Sequence, residues 1–221
     1  MMEKPILFNT EMVQAILKGN KTSTRRPIKR TPCNDEPCGY GFWKDYSEHD
    51  KRWYIKDYTH APVWWTLEEY ISKFSIYHIG DTIWVRETWQ ESECFDNNIK
   101  GKYCYRANDE ENDFANEFKV KWRPSIHMPK TAARLFLKVT DIRIERLQDI
   151  TEDGAKGEGI RSFTKDDVVF KYSSTDEFVW QDAPRTAKEA FEKLWDSCGY
   201  KSPKSWPFNP WVWVIEFEKM K

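Results

Sequence analysis

The sequence lacks both an excess of charge of one sign and any long hydrophobic run. Its 221 residues include 35 basic and 36 acidic residues. Such a balance gives no global attraction to nucleic acid, so a site for a polyanion would have to arise from local clustering of cations. A membrane-spanning helix needs about 18 consecutive apolar residues, and no such stretch is present. We therefore expect no membrane partner.

Cysteine is scarce, with five residues, and the first residues contain no long apolar segment of the kind found in signal peptides. The odd number of cysteines predicts reduced thiols and a cytoplasmic location. Four of them could offer thiolates to zinc, but their spacing is not that of a zinc ribbon. The histidines show no metal-ligand spacing either, so we expect neither a metal nor a cofactor. The four cysteines in question are Cys33, Cys38, Cys94 and Cys104.

Aromatic residues are abundant, at 16% of the chain with 12 Trp, and supply enough apolar material for a core. Residues 6–8, 82–86 and 211–217 are predicted strands, and the last is apolar on both faces, as in a central strand. Residues 135–144 predict one long strand, or two with a bulge near Thr140 and Asp141. Short strands dispersed among a few helices predict a single α+β domain with a small, partly closed barrel.

The most informative segment, residues 21–26, is basic and follows a predicted helix. That helix starts near Asn9 and Thr10, and Gly19 stands where a helix C-cap belongs. Residues three apart on a straight strand face opposite sides, so Lys21 and Thr24 can share a pocket only if the segment turns. Together with Lys29 and Arg30, the segment places five cations within ten residues.

Three stretches read as insertions into the domain, at residues 29–78, 90–120 and 161–185. The first contains prolines, glycines and many aromatics without a sustained period, which predicts irregular structure packed onto the rest. A short helix is predicted after Thr151, weakened by Gly154 and Gly157.

Residues 16–26, 80–89 and 147–160, in this order and with the closing strand 212–217, resemble the ASCH domain, a relative of the PUA RNA-binding domain. Residues 4–9 and 122–129 resemble the longer form of that domain found in bacteriophages and prophages. The resemblance implies a PUA-like small β-barrel with flanking helices, built around a cleft for RNA or a nucleotide-like ligand.

A narrower resemblance is to ASCH enzymes that remove the acetyl group from N4-acetylcytidine with Lys, Thr and Glu. Their Lys-Thr-x-Thr-x-Arg run is similar to the run from Lys21 to Arg26. Glu158 stands at the place of their Glu. The resemblance implies that Thr24 is the nucleophile, Lys21 the base and Glu158 a proton shuttle. Arg25 replaces an apolar residue of that run, which changes the charge beside the pocket.

The implied chemistry requires Lys21 to be neutral, although the reference pKa of lysine is about 10.4. Burial and the cations Arg25 and Arg26 would lower this pKa, whereas a nearby Glu158 would raise it. A charged Lys21 would instead act as a clamp for an oxyanion or a phosphate.

Further residues are candidates for ligand binding. Trp84 and Trp89 could stack a base, although packing in the core is the favoured interpretation. Glu87 could point into the cleft or pair with a neighbouring arginine, and Ser125 lies in a proline-flanked loop. The ligand-binding set is Thr22, Arg25, Arg26, Trp84, Arg86, Glu87, Trp89 and Ser125.

Three hypotheses for function remain open. The first is an amidohydrolase that acts on a modified cytidine or related acylated nucleoside, and the second is a non-catalytic module that binds RNA or single-stranded nucleic acid. The third is a phage interaction protein whose partners dock on the aromatic insertion around residues 43–65. A monomer is expected in each case.

Overall fold

A mixed five-stranded sheet forms the centre of the protein. The computed structural model describes residues 3–28, 42–47, 52–57, 63–91, 103–108 and 121–220. In chain order, the described strands are β1 (Glu3–Leu7), β2 (Ser23–Pro27), β3 (Phe42–Ser47), β4 (Arg52–Asp57), β5 (Val63–Thr66), β6 (Thr82–Arg86), β7 (Trp89–Glu91), β8 (Tyr103–Tyr105), β9 (Phe136–Arg146), β10 (Arg161–Thr164), β11 (Phe170–Ser173) and β12 (Trp211–Lys219). The described α-helices are α1 (Thr10–Leu17), α2 (Leu67–Phe74), α3 (Glu152–Gly157) and α4 (Ala187–Ser197). The predicted α+β class is confirmed.

The strands of the central sheet lie in the order β1-β6-β9-β12-β2. β1 runs parallel to β6, and the other neighbouring pairs are antiparallel. Within the described residues the sheet is open, with β1 and β2 as its edges, so the predicted barrel is not confirmed. One side chain spans the two edges, because Arg26 Nη2 on β2 donates a hydrogen bond of 2.5 Å to the carbonyl of Leu7 on β1.

β12 is the central strand that the sequence predicts, since it pairs with β9 on one side and β2 on the other. Its side chains alternate between two apolar clusters. Trp213, Ile215 and Phe217 belong to the cluster that also contains residues of α1 and α2. Val212 and Val214 belong to the cluster formed with α3 and α4. Because both faces are covered there, residues 211–215 of the strand form an unbroken apolar run.

β9 is the predicted long strand, and it carries the predicted bulge. Its register with β12 shifts between Glu216, which faces Asp141, and Phe217, which faces Val139. Thr140 is therefore the extra residue of the bulge, at one of the two positions that the sequence indicated.

The first insertion is more regular than its sequence predicts. β3, β4 and β5 form an antiparallel meander, and α2 follows directly behind a capping box between Thr66 and Glu69. The expectation of irregular structure was wrong for these residues because strands this short leave no sustained alternation to detect. The other two insertions contain β8 and the hairpin of β10 and β11.

Two predicted helix boundaries are confirmed. Gly19 adopts a φ of 77° after α1, as the predicted C-cap requires. Thr151 caps α3 by accepting a hydrogen bond of 3.0 Å from the backbone N–H of Gly154. Together these ends place the basic segment and the end of α3 side by side.

The glycines in and after α3 let this helix approach β2 and α1 closely. A Cβ on Gly154 would lie 3.2 Å from Arg25 Nη2, and one on Gly157 would lie 3.0 Å from Ser23 Oγ. A Cβ on Gly159, whose φ is 101°, would lie 3.1 Å from the Cβ of Ala15. The glycines that make this helix weak in the sequence therefore have a packing role.

We predict that Gly159→Ala lowers the free energy of unfolding more than Gly199→Ala does. Both glycines have a positive φ, but a Cβ on Gly199 would meet no atom within 4 Å. The strain of a left-handed residue, about 1–2 kcal/mol, is common to both variants. The contact with Ala15 adds overpacking of about 1 kcal/mol or more to Gly159→Ala alone. Urea denaturation measures the difference, and equal losses would contradict close packing of α3 on α1.

Candidate functional site

The basic segment enters the structure between the end of α3 and the central sheet. The backbone N–H of Lys21 donates to the carbonyl of Ala15 at 3.1 Å, which closes the turn after α1. Lys21 then forms an isolated β-bridge with Glu158. The N–H of Thr22 donates to the carbonyl of Gly157 at 2.9 Å, and its own carbonyl accepts from Phe217 at 2.9 Å. The chain thus turns between Gly19 and Lys21, but this turn precedes Lys21 and does not by itself bring Lys21 and Thr24 into one pocket.

Glu158 holds two buried cations of this segment. Lys21 Nζ donates to Glu158 Oε2 at 2.7 Å and to the Glu158 carbonyl at 3.0 Å. Arg25 Nη1 lies 3.3 Å from Glu158 Oε1, and Arg25 Nη2 lies 3.1 Å from Glu145 Oε2. The side chains of Lys21 and Glu158 are 0% and 3% exposed, so their charges have left water and depend on each other.

Burial lowers the pKa of Lys21 from its ordinary value of 10.5. The Glu158 carboxylate acts in the opposite direction and the charge of Arg26 in the same direction, but the loss of solvation is the largest effect. A lysine in this setting gives up its proton more readily than an exposed one. The shift is in the direction that a lysine base requires.

Thr24 is buried but is not joined to the pair. It lies opposite Ile215 in the sheet register, whereas Arg25 lies opposite Val214. Since neighbouring residues of a strand face opposite sides, Thr24 points away from the face on which Arg25 meets Glu158. No hydrogen bond between Thr24 and Lys21 or Glu158 is found among the described side chains. The structure thus brings together two of the three predicted catalytic residues.

A polar cavity of about 980 Å³, here called the first cavity, lies beside this pair. Its walls come from the end of β1, from α1, from the segment after β11 and from the end of α4. Ser125 lines it, as predicted for a ligand-binding residue, and so does Arg26. Other wall residues were not predicted: Phe8, Thr88, Arg106 and Cys198.

Four basic side chains line the first cavity, and two of them share one carboxylate. Asp176 pairs with Arg161 at 2.6 Å and with Lys18 at 3.3 Å. Arg161 and then Lys18 lower the pKa of Asp176, so it remains ionised in this network. Among the described residues, Arg26 and Arg106 form no ion pair with a carboxylate. These two cations are therefore available to an anionic ligand.

Phe8 and Ala15 belong to both the cavity wall and the surroundings of Lys21. The ring centre of Phe8 lies 5.6 Å from Lys21 Nζ and 5.3 Å from Arg26 Cζ. Lys21, Thr24 and Glu158 do not line the cavity themselves. The buried pair thus lies directly behind a wall whose aromatic member is Phe8.

The remaining predicted ligand residues have structural partners. Trp84 and Trp89 are buried, in agreement with the favoured packing interpretation. Glu87 is 1% exposed and receives two hydrogen bonds from Arg134, at 2.9 and 2.8 Å, rather than pairing with Arg86 or Arg26. Arg86 Nε donates to the carbonyl of Met128 at 3.0 Å. Thr22 is exposed and lies outside the wall of the first cavity.

Cys198, at the end of α4, offers the cavity a thiol, but burial raises its pKa. A thiol with a raised pKa is a poor nucleophile at neutral pH, so Cys198 does not replace Thr24 in that role. Cys33, Cys38 and Cys94 lie outside the described residues, as do Lys29 and Arg30. In the part of the chain that the structure describes, no three His, Cys, Asp or Glu residues are grouped as metal ligands.

The aromatic insertion is described in part. Trp65 is partly buried, and its ring meets that of Phe74 edge-on at 5.7 Å between centres. The side chains of Trp43, Trp53 and Trp64 lie outside the described residues. Across the described ranges, no helix is both long enough and apolar enough to cross a membrane.

No protein-family model, no curated protein and no solved structure matches this chain.

We predict that Glu158→Gln lowers the free energy of unfolding by about 3–5 kcal/mol, because Lys21 and Arg25 lose the charge that they share in a buried site. Glu145→Gln is the matched control, since it removes a carboxylate from the same Arg25 but its side chain is 26% exposed. A partner that keeps part of its solvent contact should contribute less than the buried Glu158, about 1 kcal/mol. Urea denaturation distinguishes the two variants, and similar small losses would contradict the central role of Glu158.

The lowered pKa of Lys21 predicts a pH dependence of stability. Its folded pKa lies below the unfolded value of 10.5, so the unfolded chain binds this proton more tightly. Stability relative to a Lys21→Met variant should therefore rise as the pH is raised from the folded pKa towards 10.5. Urea denaturation across this range measures the rise. A matching NMR titration of the lysine side chains should show Lys21 losing its proton first, and a Lys21 that titrates with the exposed lysines would contradict the assignment.

Proposed function

We propose that the chain is a nucleoside- or RNA-directed protein of the ASCH type, with a PUA-like fold, and that its ligand occupies the first cavity. The observation that carries the proposal is the Lys21–Glu158 pair, which lies directly behind the wall of a polar cavity into which Arg26 of the same basic segment projects. Perturbed titratable groups beside a cleft are typical of functional sites.

The shape and chemistry of the cavity support a nucleoside as the ligand. Its volume of about 980 Å³ is within the range of small-molecule sites. The hydroxyl groups of Thr88 and Ser125 offer hydrogen bonds to the edge of a base or to the ribose, and the partly exposed ring of Tyr200 offers an aromatic surface. Arg26 and Arg106 add positive charge for a phosphate.

The hydrolytic form of the proposal assigns one role to each predicted catalytic residue. Neutral Lys21 accepts the proton of the Thr24 hydroxyl, and Thr24 Oγ forms a bond to the acyl carbon of the substrate. The bond from that carbon to the cytidine nitrogen breaks, and Glu158 relays the proton that this nitrogen takes up. Water then releases the acyl group from Thr24. The lowered pKa of Lys21 supports the first step. That step also requires Thr24 to come within hydrogen-bond reach of Lys21, whose amine is bonded to Glu158 instead, and it requires Phe8 to move because neither Lys21 nor Thr24 lines the cavity.

The second candidate function is binding without turnover. It is favoured by the separation of Thr24 from Lys21 and by the way in which Lys21 and Glu158 satisfy each other. In a protein that only binds, the Lys21–Glu158 pair supports the wall of the first cavity, and Arg26 and Arg106 contact the ligand. Affinity for a short RNA should then fall steeply as salt is added, because phosphate contacts release counterions.

Incubation with N4-acetylcytidine tests the hydrolytic form. We expect release of cytidine, detected by chromatography, with a rate that rises with pH as Lys21 loses its proton. Lys21→Ala should lower the rate by at least about a hundredfold, the usual contribution of a general base. Lys18→Ala is the matched control, since it removes a wall cation that is already paired with Asp176.

No turnover of N4-acetylcytidine, or full activity of Lys21→Ala, would overturn the hydrolytic form. Calorimetric titration with cytidine and with a short RNA then shows whether the protein binds these ligands without turning them over or does not bind them at all. Weaker binding in Arg26→Gln than in Lys18→Gln would support the first cavity as the site, whereas equal affinities or no binding would overturn it.

A further inference from the structure

A second cavity, of about 660 Å³, opens between the two edge strands of the central sheet. Its walls come from β1, from the end of β2, from α2 and from β12. At the gap between β1 and β2, a ligand can therefore reach both the edges of the open sheet and the apolar side chains between them. The proposed function does not use this cavity.

The charges around the second cavity all have the same sign. Four cations line it, and no Asp or Glu is present in its described wall. Arg86 Nε and Arg26 Nη2 donate to backbone carbonyls, and Lys73 Nζ lies 4.1 Å from the ring centre of Trp65. None of the four forms an ion pair with a carboxylate among the described residues. They are Arg26, Lys73, Arg86 and Lys204.

The interior of the second cavity is aromatic. The stacked rings of Tyr70 and Trp213, 1% and 7% exposed, form its floor, and the partly exposed rings of Phe74 and Tyr200 supply the aromatic surface that a ligand can reach. Leu7 and Ile76 line the same cavity and are 42% and 56% exposed, so its mouth is apolar as well. Aromatic surface surrounded by unpaired cations suits a ligand that joins a flat ring to an anion.

The edge of β1 is poorly suited to an added peptide strand. The carbonyl of Pro5 accepts a hydrogen bond of 2.7 Å from the Tyr77 hydroxyl, and the carbonyl of Leu7 accepts from Arg26. Proline also offers no N–H to a partner strand. A ligand in this gap is therefore recognised by side chains.

The two cavities adjoin each other. Leu7, Arg26 and Tyr200 belong to the walls of both, so the hydrogen bond between Arg26 and Leu7 stands on their shared boundary. A guanidinium has five N–H donors. Arg26 therefore keeps donors for a phosphate that passes from one cavity to the other.

We propose that the second cavity binds the neighbouring, phosphate-bearing nucleotide of a single strand whose first nucleoside occupies the first cavity. This inference rests on the proposed function. Arg26 contacts the linking phosphate, the aromatic wall receives the second base, and Lys73 and Lys204 supply the surrounding positive charge.

Calorimetric titration with cytidine and with the dinucleotide cytidylyl-(3′→5′)-cytidine tests the proposal. The dinucleotide should bind on the order of ten times more tightly than cytidine at low salt, because it adds a phosphate contact and a stacked base. The double variant Lys73→Gln with Lys204→Gln should lose most of this gain and leave cytidine affinity unchanged. The matched control, Lys201→Gln with Lys219→Gln, removes two exposed cations from outside both cavities and should behave as the unaltered protein.

The indole N–H resonance of Trp213 reports on the second cavity directly. It should shift when the dinucleotide is added and stay in place with cytidine, with the resonance assigned from a Trp213→Phe variant. A dinucleotide that binds no more tightly than cytidine and leaves this resonance unmoved would overturn the second cavity. Cytidine could fail to bind while the dinucleotide still shifts the Trp213 resonance in a manner dependent on Lys73 and Lys204. That result would overturn ligand binding in the first cavity and support nucleotide binding in the second.

Discussion

The shared carboxylate of Glu158 is the interaction on which the rest of the site depends. It joins the end of α3 to the basic segment through Lys21 at 2.7 Å and Arg25 at 3.3 Å, all with very little contact with water. Buried charges are tolerated only where their partners are close and well oriented. The glycines of this segment fit the close approach, since a Cβ on Gly157 would lie 3.0 Å from Ser23 Oγ and one on Gly159 would lie 3.1 Å from the Cβ of Ala15.

The same constraint divides the short strand β2 into two electrostatic faces. Arg25 turns towards Glu158 and the cluster of α3 and α4, whereas Arg26 turns the other way and lines both cavities. Adjacent arginines thus have different surroundings, since Arg25 is buried in an ion pair and Arg26 lines the two cavities. The alternation of a strand produces this division from two identical residue types.

Local patterns predicted those features whose causes are local. The turn at Gly19, the cap at Thr151 and the doubly buried strand β12 all follow from neighbouring residues. The pair of Lys21 and Glu158 joins residues 137 positions apart, and its prediction came from the family resemblance rather than from a sequence pattern. The residues around Glu87 and around Arg134 do not indicate that these two form an ion pair, because only the fold of the chain brings them together.

Stability alone does not account for three buried charges at this position. A well-packed apolar set of similar volume would be equally stable or more so, because it avoids the cost of desolvation. An apolar set could not, however, hold an amine whose pKa is lowered by burial next to a polar cavity. The charges are therefore better explained by what they do to Lys21 and to the cavity wall than by their contribution to folding, and this reasoning favours a functional role for the basic segment over a purely structural one.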